Sequence, residues 1–358
     1  MHYVANFQIS FYQFLDEQGK LNVDLFEIFP EFINNHQGLL IELLKIYTHM
    51  LKTRLFDAKA INLQRTGKLG TYPSCLWHEA IGVAIGSSMR DEDLFCPYYR
   101  DLGTMLWRKV LMEEILAYWG GFQNGNNFKY ALHDFPICVP IASQTLHAVG
   151  AAFTFKYKKE PRVVVTTVGD GGTSRGDFYE ALNLAKLWEL PIVFLIINNR
   201  WAISTPTVMQ TKAETFAQKA IAAGIVGEQV DGNDVFALKN RLKFAIEKAR
   251  SNNGPSVIEA LTYRMGDHTT ADDSGRYRDE QEKQAAIPTD PLLRLKIFLQ
   301  EQYNFSKEEE LEITQECQTR IETAVNNYLS LELDPASSMF DHLYKTLPKA
   351  LKAQRDLL

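Results

Sequence analysis

Two short apolar runs and the turn between them constrain this chain more than anything else in it. Residues 162–168 (RVVVTTV) and 192–197 (IVFLII) are rich in β-branched side chains and nearly free of polar ones. Strands without polar alternation are strands buried on both faces, as in parallel sheets. Between them lie the turn GDGGTSRGD and a helical stretch over 178–190, whose Phe178, Ala181, Leu182 and Ala185 recur at i, i+3, i+4 and i+7. Ser174 and Asp177 stand at capping-box spacing before it. The unit is a parallel strand–helix–strand crossover. Further strands expected over 225–230 and 256–263, with a helix over 235–251 between them, extend it into an α/β fold with a doubly wound parallel sheet.

The rest of the chain is organised around that sheet. Residues 1–35 alternate aromatic and polar side chains, break at Pro30 and Asn34-Asn35, and read as an arm packing on a body. Leu40, Leu43, Leu44, Tyr47 and Leu51 predict a helix over 39–63, stopped at Gly67 and Gly70. Further helices are predicted over 78–88, 105–119 and 144–157, and residues 122–140 form a long irregular loop. Residues 266–280 (GDHTTADDSGRYRDE) have almost no apolar anchor and predict an exposed loop that orders with a ligand. From Pro291 onward the pattern is amphipathic helix. The expected division is an N-terminal arm over 1–35, an α/β domain over 36–285 and a C-terminal helical extension over 286–358.

Composition excludes several function classes. Lys and Arg number 38 against 44 Asp and Glu, a net charge of −6, so nothing draws the chain to nucleic acid or to an anionic membrane surface. Its longest apolar runs, such as 191–197, fall far short of the roughly 18 residues of a membrane span. Cys75, Cys96, Cys138 and Cys317 are scattered with no CxxC pair, which argues against a disulfide framework or a zinc knuckle and for a reducing cytoplasm. The N-terminus shows neither a secretory nor a transit pattern.

Chemistry enters at the strand tips. Gly169-Asp170-Gly171 closes one buried strand and Asn198-Asn199 closes the next, with 26 residues between Gly171 and Asn198. Both tips fall at the carboxyl edge of the sheet, where open α/β folds bind ligands and where a helix N-terminus offers unpaired N–H groups to phosphate. Asp170, expected on an exposed turn, and Asn199 can each give an oxygen to Mg²⁺, a hard ion that shares its ligands with diphosphates. Strand, GDG, helix, strand and NN together match the thiamine-diphosphate motif, and the alternative for GDG alone is a plain strand-to-helix turn. A dinucleotide site would need GxGxxG and an acid at the second tip, and this chain has neither.

Six stretches, two of which hold that motif, extend the reading: PYYRDLG (97–103), PIASQTLHAVGAA (140–152), GDGGTSRGDFYEALN (169–183), NNRWAISTP (198–206), VDGNDVFA (230–237) and YRMGDHTTADDSGRYR (263–278). On these the chain resembles the α subunits of the thiamine-diphosphate-dependent 2-oxo-acid dehydrogenases of the pyruvate and branched-chain complexes, over nearly everything after residue 36. The resemblance implies a thiamine-diphosphate-binding fold. It also implies that Tyr99 and Arg100 bind the diphosphate, that Gly171 and Gly172 line it, and that Asp170, Asn199 and the carbonyl of Trp201 hold Mg²⁺. Ile141 takes the position whose backbone meets the aminopyrimidine, and His268 that of the histidine facing the substrate. Asp272, Asp273, Arg276, Tyr277 and Arg278 are expected to pin the His268 loop by ion pairs and hydrogen bonds.

Each assignment has a plainer alternative: a surface ion pair with Asp101 for Arg100, core packing for Ile141, a solvated loop for His268, and an ordinary charged face for the residues after it. Pro140, Ser143 and Gln144 match a potassium-binding turn of the branched-chain members, although Cys138 stands where those have a serine. A pyruvate-type HFHG is replaced here by GGFQNG, leaving His133 as the nearby candidate, while His78 and His147 read as structural. The resemblance further implies a β subunit completing an α₂β₂ heterotetramer, a lipoyl-bearing acyltransferase as acyl acceptor, and oxidative decarboxylation of a 2-oxo acid. YRMGDHTTADD and AQKAIAAGIVGEQVDG favour pyruvate. The alternatives are a branched-chain or acetoin dehydrogenase, a ketol-transferring enzyme, and a non-catalytic subunit.

Overall fold

A computed structural model describes residues 2, 6–332 and 334–358. Six strands, β1 (Phe11–Tyr12), β2 (Leu94–Cys96), β3 (Val164–Gly169), β4 (Ile192–Asn198), β5 (Gly227–Asp231) and β6 (Ser256–Leu261), form one sheet in the order β1-β5-β6-β4-β3-β2. Every pairing in it is parallel. The doubly wound α/β sheet is the one the sequence predicts.

Helices cover both faces because successive side chains of a strand point opposite ways. Val165, Val193, Leu195 and Ile258 face one core, shared with α1 (His36–Arg65), α2 (Glu79–Ser88), α5 (Val235–Arg250) and α6 (Pro291–Tyr303). Val164, Phe194 and Ile196 face the other, shared with α3 (Ser143–Lys158) and α4 (Gly176–Leu187). A third apolar cluster joins Phe56 and Leu63 of α1 to Ile321 and Val325 of α7 (Lys307–Leu329). Leu15, Ile28 and Phe29 of the arm and Leu295 and Leu299 of α6 are buried in the first core.

Several expectations are corrected. The helix predicted over 105–119 is two helices, Leu102–Trp107 and Met112–Trp119, broken where Lys109 takes a left-handed φ of 72°. Ser174 forms no capping box. It closes a 3₁₀ turn over Asp170–Ser174, and Arg175 stands at the N-cap of α4 without a side-chain bond. The arm contributes a strand, β1, that its sequence does not announce. The loop over 266–280 is exposed only in part: residues 266–270, Asp272, Tyr277 and Arg278 are half-buried and Ser274 is buried. Among the described residues no helix is long and apolar enough to cross a membrane, and all four cysteines are unpaired.

Candidate active site

Register builds the site. Val168 pairs with Ile196 and Gly169 with Ile197, so β3 and β4 end level and deliver Asp170 and Asn199 side by side. One cavity of about 200 Å³ at this edge is lined by Tyr99, Arg100, Ile141, Asp170, Gly171, Gly172, Asn199, Trp201 and His268. The nine residues assigned to cofactor, cation and substrate therefore line one cavity, while Ser143 of the candidate potassium turn does not. A larger cavity of about 390 Å³ lies beside Arg294 and gathers none of them. Cys138, Pro140 and Gln144 also line the first cavity, whereas His133 sits exposed in a turn outside it.

Asp170 is not on an exposed turn: it is 2% exposed. Its carboxylate accepts a hydrogen bond from Nε2 of Gln210 at 2.7 Å, and burial raises its pKa to about 6. Asn199 is held by His78. The Nδ1 of His78 faces the Cys75 carbonyl at 3.2 Å and so carries the proton, which leaves Nε2 to accept from the Asn199 amide at 3.2 Å. The amide oxygen of Asn199 is thereby turned the other way, toward the N–H of Trp201 at 3.4 Å.

Arg100 is buried and makes no pair with Asp101, which instead accepts from Thr167 and from the N–H of Tyr98 at 2.9 Å. Its guanidinium donates to the Ser74 carbonyl at 2.6 Å, to the His268 carbonyl at 2.6 Å and to Nδ1 of His268 at 3.0 Å. Arg264 approaches the same Nδ1 at 3.4 Å. Burial, then these two cations, push the pKa of His268 down to about 4. The ring is a neutral imidazole whose proton sits on Nε2, a hydrogen-bond donor at neutral pH. Tyr99 meets the His268 ring edge-on, centroids 6.2 Å apart.

The 266–280 loop is tied down by hydrogen bonds to backbone and hydroxyl groups rather than by ion pairs. Asp272 accepts from the N–H of His268 at 2.8 Å and from the Tyr277 hydroxyl. Arg278 donates to the carbonyls of Arg264 and Gly266, the latter at 3.1 Å, and to the Ser274 hydroxyl at 2.6 Å. Asp273 only caps the short turn Ser274–Arg276, and Arg276 is exposed. Sequence reasoning missed Arg264, which donates to the carbonyls of Trp201 at 3.0 Å and Ile203 at 2.8 Å and to the Tyr277 hydroxyl at 2.8 Å. Its place inside YRMGDH was the available signal. Gln210 and the role of His78 had none.

The surroundings suit a diphosphate and a hard cation. A Cβ on Gly171 would lie 2.5 Å from that of Ala202, and one on Gly172 2.5 Å from Cγ2 of Val168, so any side chain there would close the cradle. Asp170, Asn199 and Trp201 line the cavity beside it and offer a carboxylate, an amide and a backbone carbonyl, oxygen donors of the kind Mg²⁺ takes, although the Trp201 carbonyl here accepts from Arg264 at 3.0 Å. Among the described residues no cluster of three His, Cys, Asp or Glu forms a transition-metal site.

With this geometry established, comparison with known proteins is decisive. A model of the dehydrogenase E1 component family matches residues 47–330. The chain belongs to that family. A relative from Mycoplasma genitalium named pyruvate dehydrogenase E1 component subunit alpha is 36% identical over 97% of this chain and 95% of its own. The Staphylococcus aureus protein of the same name is 36% identical over 96% and 91%. A Mycobacterium tuberculosis protein named 3-methyl-2-oxobutanoate dehydrogenase subunit alpha is 39% identical over 90% and 88%. The chain is thus an α-type component of a thiamine-diphosphate-dependent 2-oxo-acid dehydrogenase.

Proposed function

We propose that this chain is one half of an α₂β₂ pyruvate dehydrogenase that passes its acyl group to a lipoyl-bearing acyltransferase. The observation that carries the reading is that Arg100, Asp170, Asn199, Trp201 and His268 line one cavity at the carboxyl edge of the sheet. Asp170, Asn199 and Trp201 would hold Mg²⁺, while Gly171 and Gly172 admit the diphosphate to the start of α4. Arg100, a permanent cation with a planar donor fork, is suited to pair with it. Thiamine diphosphate, when bound, supplies a carbon nucleophile for the 2-oxo group.

His268 supplies position and a proton. Its Nε2–H donates to the substrate carboxylate or to a developing oxyanion, and Arg100 and Arg264 keep the ring neutral and its free nitrogen protonated. Among the described residues Asp170 is the sole acid lining the cavity, and in this reading it serves the cation. The carboxylate required at N1′ of the aminopyrimidine must then come from a second chain. The rim fits such a cover: Val139, Ile141 and Ile203 are 44%, 47% and 55% exposed. The same reading sets the enzyme in the bacterial cytoplasm, where unpaired thiols persist.

The 39% identity to a 3-methyl-2-oxobutanoate dehydrogenase subunit supports branched-chain 2-oxo acids as the second reading. The test is to co-purify the chain with its β subunit and follow ferricyanide-linked oxidation of pyruvate and 3-methyl-2-oxobutanoate side by side. Pyruvate is expected to give the higher kcat/KM, and the isolated chain no turnover. A roughly tenfold preference for 3-methyl-2-oxobutanoate, about 1.4 kcal/mol, would install the second reading. Full turnover without the β chain would defeat the two-chain arrangement.

A further inference from the structure

The segment Tyr72–His78 has almost no regular backbone partners, and Trp77 within it is held at a left-handed φ of 72°, a costly conformation for a bulky side chain. Such a segment keeps its shape only if something outside it fixes it. Asp57, on α1, is fully enclosed and forms no ion pair among the described residues. All its hydrogen bonds go to this one segment. Oδ1 accepts from the N–H of Cys75 at 2.8 Å and from the Tyr72 hydroxyl at 3.1 Å, and Oδ2 from the Ser74 hydroxyl at 2.6 Å.

The other side of the segment reaches three parts of the active site. The Ser74 carbonyl receives Arg100 at 2.6 Å. Tyr72 exchanges two bonds with Thr270 of the His268 loop, its N–H to the threonine hydroxyl and its carbonyl to the threonine N–H, both at 3.0 Å. The Cys75 carbonyl fixes His78, and His78 fixes the amide of Asn199. We infer that Asp57 is a positioning residue for the reaction: through the 72–78 segment it sets Arg100, the His268 loop and the orientation of the Asn199 amide together. The inference rests on the roles proposed above for those three residues.

A purely scaffolding carboxylate would lower stability when removed and leave per-molecule chemistry intact. A positioning carboxylate loosens the site. The experiment compares Asp57→Ala, Asp57→Asn and Tyr72→Phe in the assembled α/β enzyme. Asparagine keeps the pattern, since its oxygen can still accept from Cys75 and Tyr72 while its amide donates to the Ser74 hydroxyl. It is therefore expected to rescue.

Asp57→Ala is expected to weaken thiamine diphosphate binding by calorimetry about tenfold, and to lower kcat as much with KM for pyruvate within about twofold. Backbone hydrogen exchange in 266–280 should quicken about tenfold, a readout independent of turnover. Tyr72→Phe should give a smaller change in the same direction, and Asp57→Asn should match the parent. Identical behaviour of Asp57→Ala and Asp57→Asn, whether both parent-like or both impaired, would overturn the inference. So would a lowered melting temperature with unchanged exchange in 266–280. If Asp57→Ala does not assemble, the double variant Tyr72→Phe, Ser74→Ala carries the same exchange test and must show the same acceleration. A parent enzyme that binds no thiamine diphosphate would sink the proposed function, while the exchange result would still decide the role of Asp57.

Discussion

Replacing Asp170 by Asn should make the cofactor-free enzyme more stable and the loaded enzyme less so. The carboxylate is almost completely enclosed, has no ion-pair partner among the described residues, and takes one side-chain hydrogen bond, from Gln210. Burial raises its pKa from 3.8 to about 6, against the pull of Gln210, the Gly171 N–H and Arg264. At about 1.36 kcal/mol per pKa unit, holding the charge in the empty fold costs on the order of 3 kcal/mol. The sign follows from proton counts. Between pH 3.8 and 6 the folded state binds the proton more tightly than the unfolded chain, so the parent loses stability as pH rises through that window and stays level above it.

Asparagine carries no charge, and its oxygen can keep the bond from Nε2 of Gln210. The assay is thermal unfolding of the α/β enzyme in chelator at pH 5 and pH 7.5, repeated with Mg²⁺ and thiamine diphosphate. In chelator at pH 7.5 the variant should melt about 5 °C or more above the parent, and the gap should narrow at pH 5. Ligand at about a hundred times its Kd should add about 2.7 kcal/mol to the parent and almost nothing to the variant. A cofactor-free variant that melts below the parent at pH 7.5 would refute the claim that this carboxylate is stored at a cost. Equal ligand stabilisation of both would remove Asp170 from the cation site.

Three further outcomes are expected. His268→Ala should lower kcat about a hundredfold or more while thiamine diphosphate affinity, by calorimetry, stays within about threefold; the opposite pattern would make the histidine a binding residue only. Arg278→Ala removes the donor that ties together the carbonyls of Arg264 and Gly266 and the Ser274 hydroxyl. Limited proteolysis within 266–280 should then quicken about tenfold, and unchanged cutting would show that the loop is held elsewhere. Arg294, 1% exposed, joins Asp231 at 2.6 Å and Glu17 of the arm at 3.0 Å, so Arg294→Met should cost about 3–5 kcal/mol by denaturant unfolding. A loss below about 1 kcal/mol would mean the arm is held by its strand pairing and apolar side chains without need of this ion pair.

What could be read from the residues depended on whether the signal was local. The β3–α4–β4 unit declared itself because fully buried strands and a helical stripe leave periods in the sequence, and its register then placed Asp170 beside Asn199. Short strands leave no period: β1 has two residues and β2 three, and neither was expected. Local pattern also misled. Met105, Leu106, Val110 and Ile115 are buried on both sides of the break at Lys109, because burial demands apolar side chains whether or not the backbone stays helical.

The polar side chains of the site divide on the same line. Tyr99, Arg100, Ile141 and His268 were named through resemblance, for nothing in their own neighbourhood distinguishes a buried functional side chain from a solvated one. Asp170 was expected on an exposed turn, yet it is enclosed, and Gln210, forty residues downstream, bonds to its carboxylate. Arg264 and Asp57 are harder still. Each is an ionisable group enclosed with no ion pair among the described residues and bonded to carbonyls, hydroxyls or N–H groups from distant segments. Local chemistry argues against burying any of them, since an enclosed charge costs several kcal/mol on the order of magnitude that pairing or hydrogen bonding must offset. Enclosure alone does not mark the site, since Asp234, which accepts from the N–H groups of Phe14 and Leu15, and Lys239, which donates to the Ser87 carbonyl, are buried without an ion pair among the described residues and lie away from the cavity. What sets Asp170 and Arg100 apart is that they also line an open cavity, as a fold requires where it keeps charge in place for a reaction.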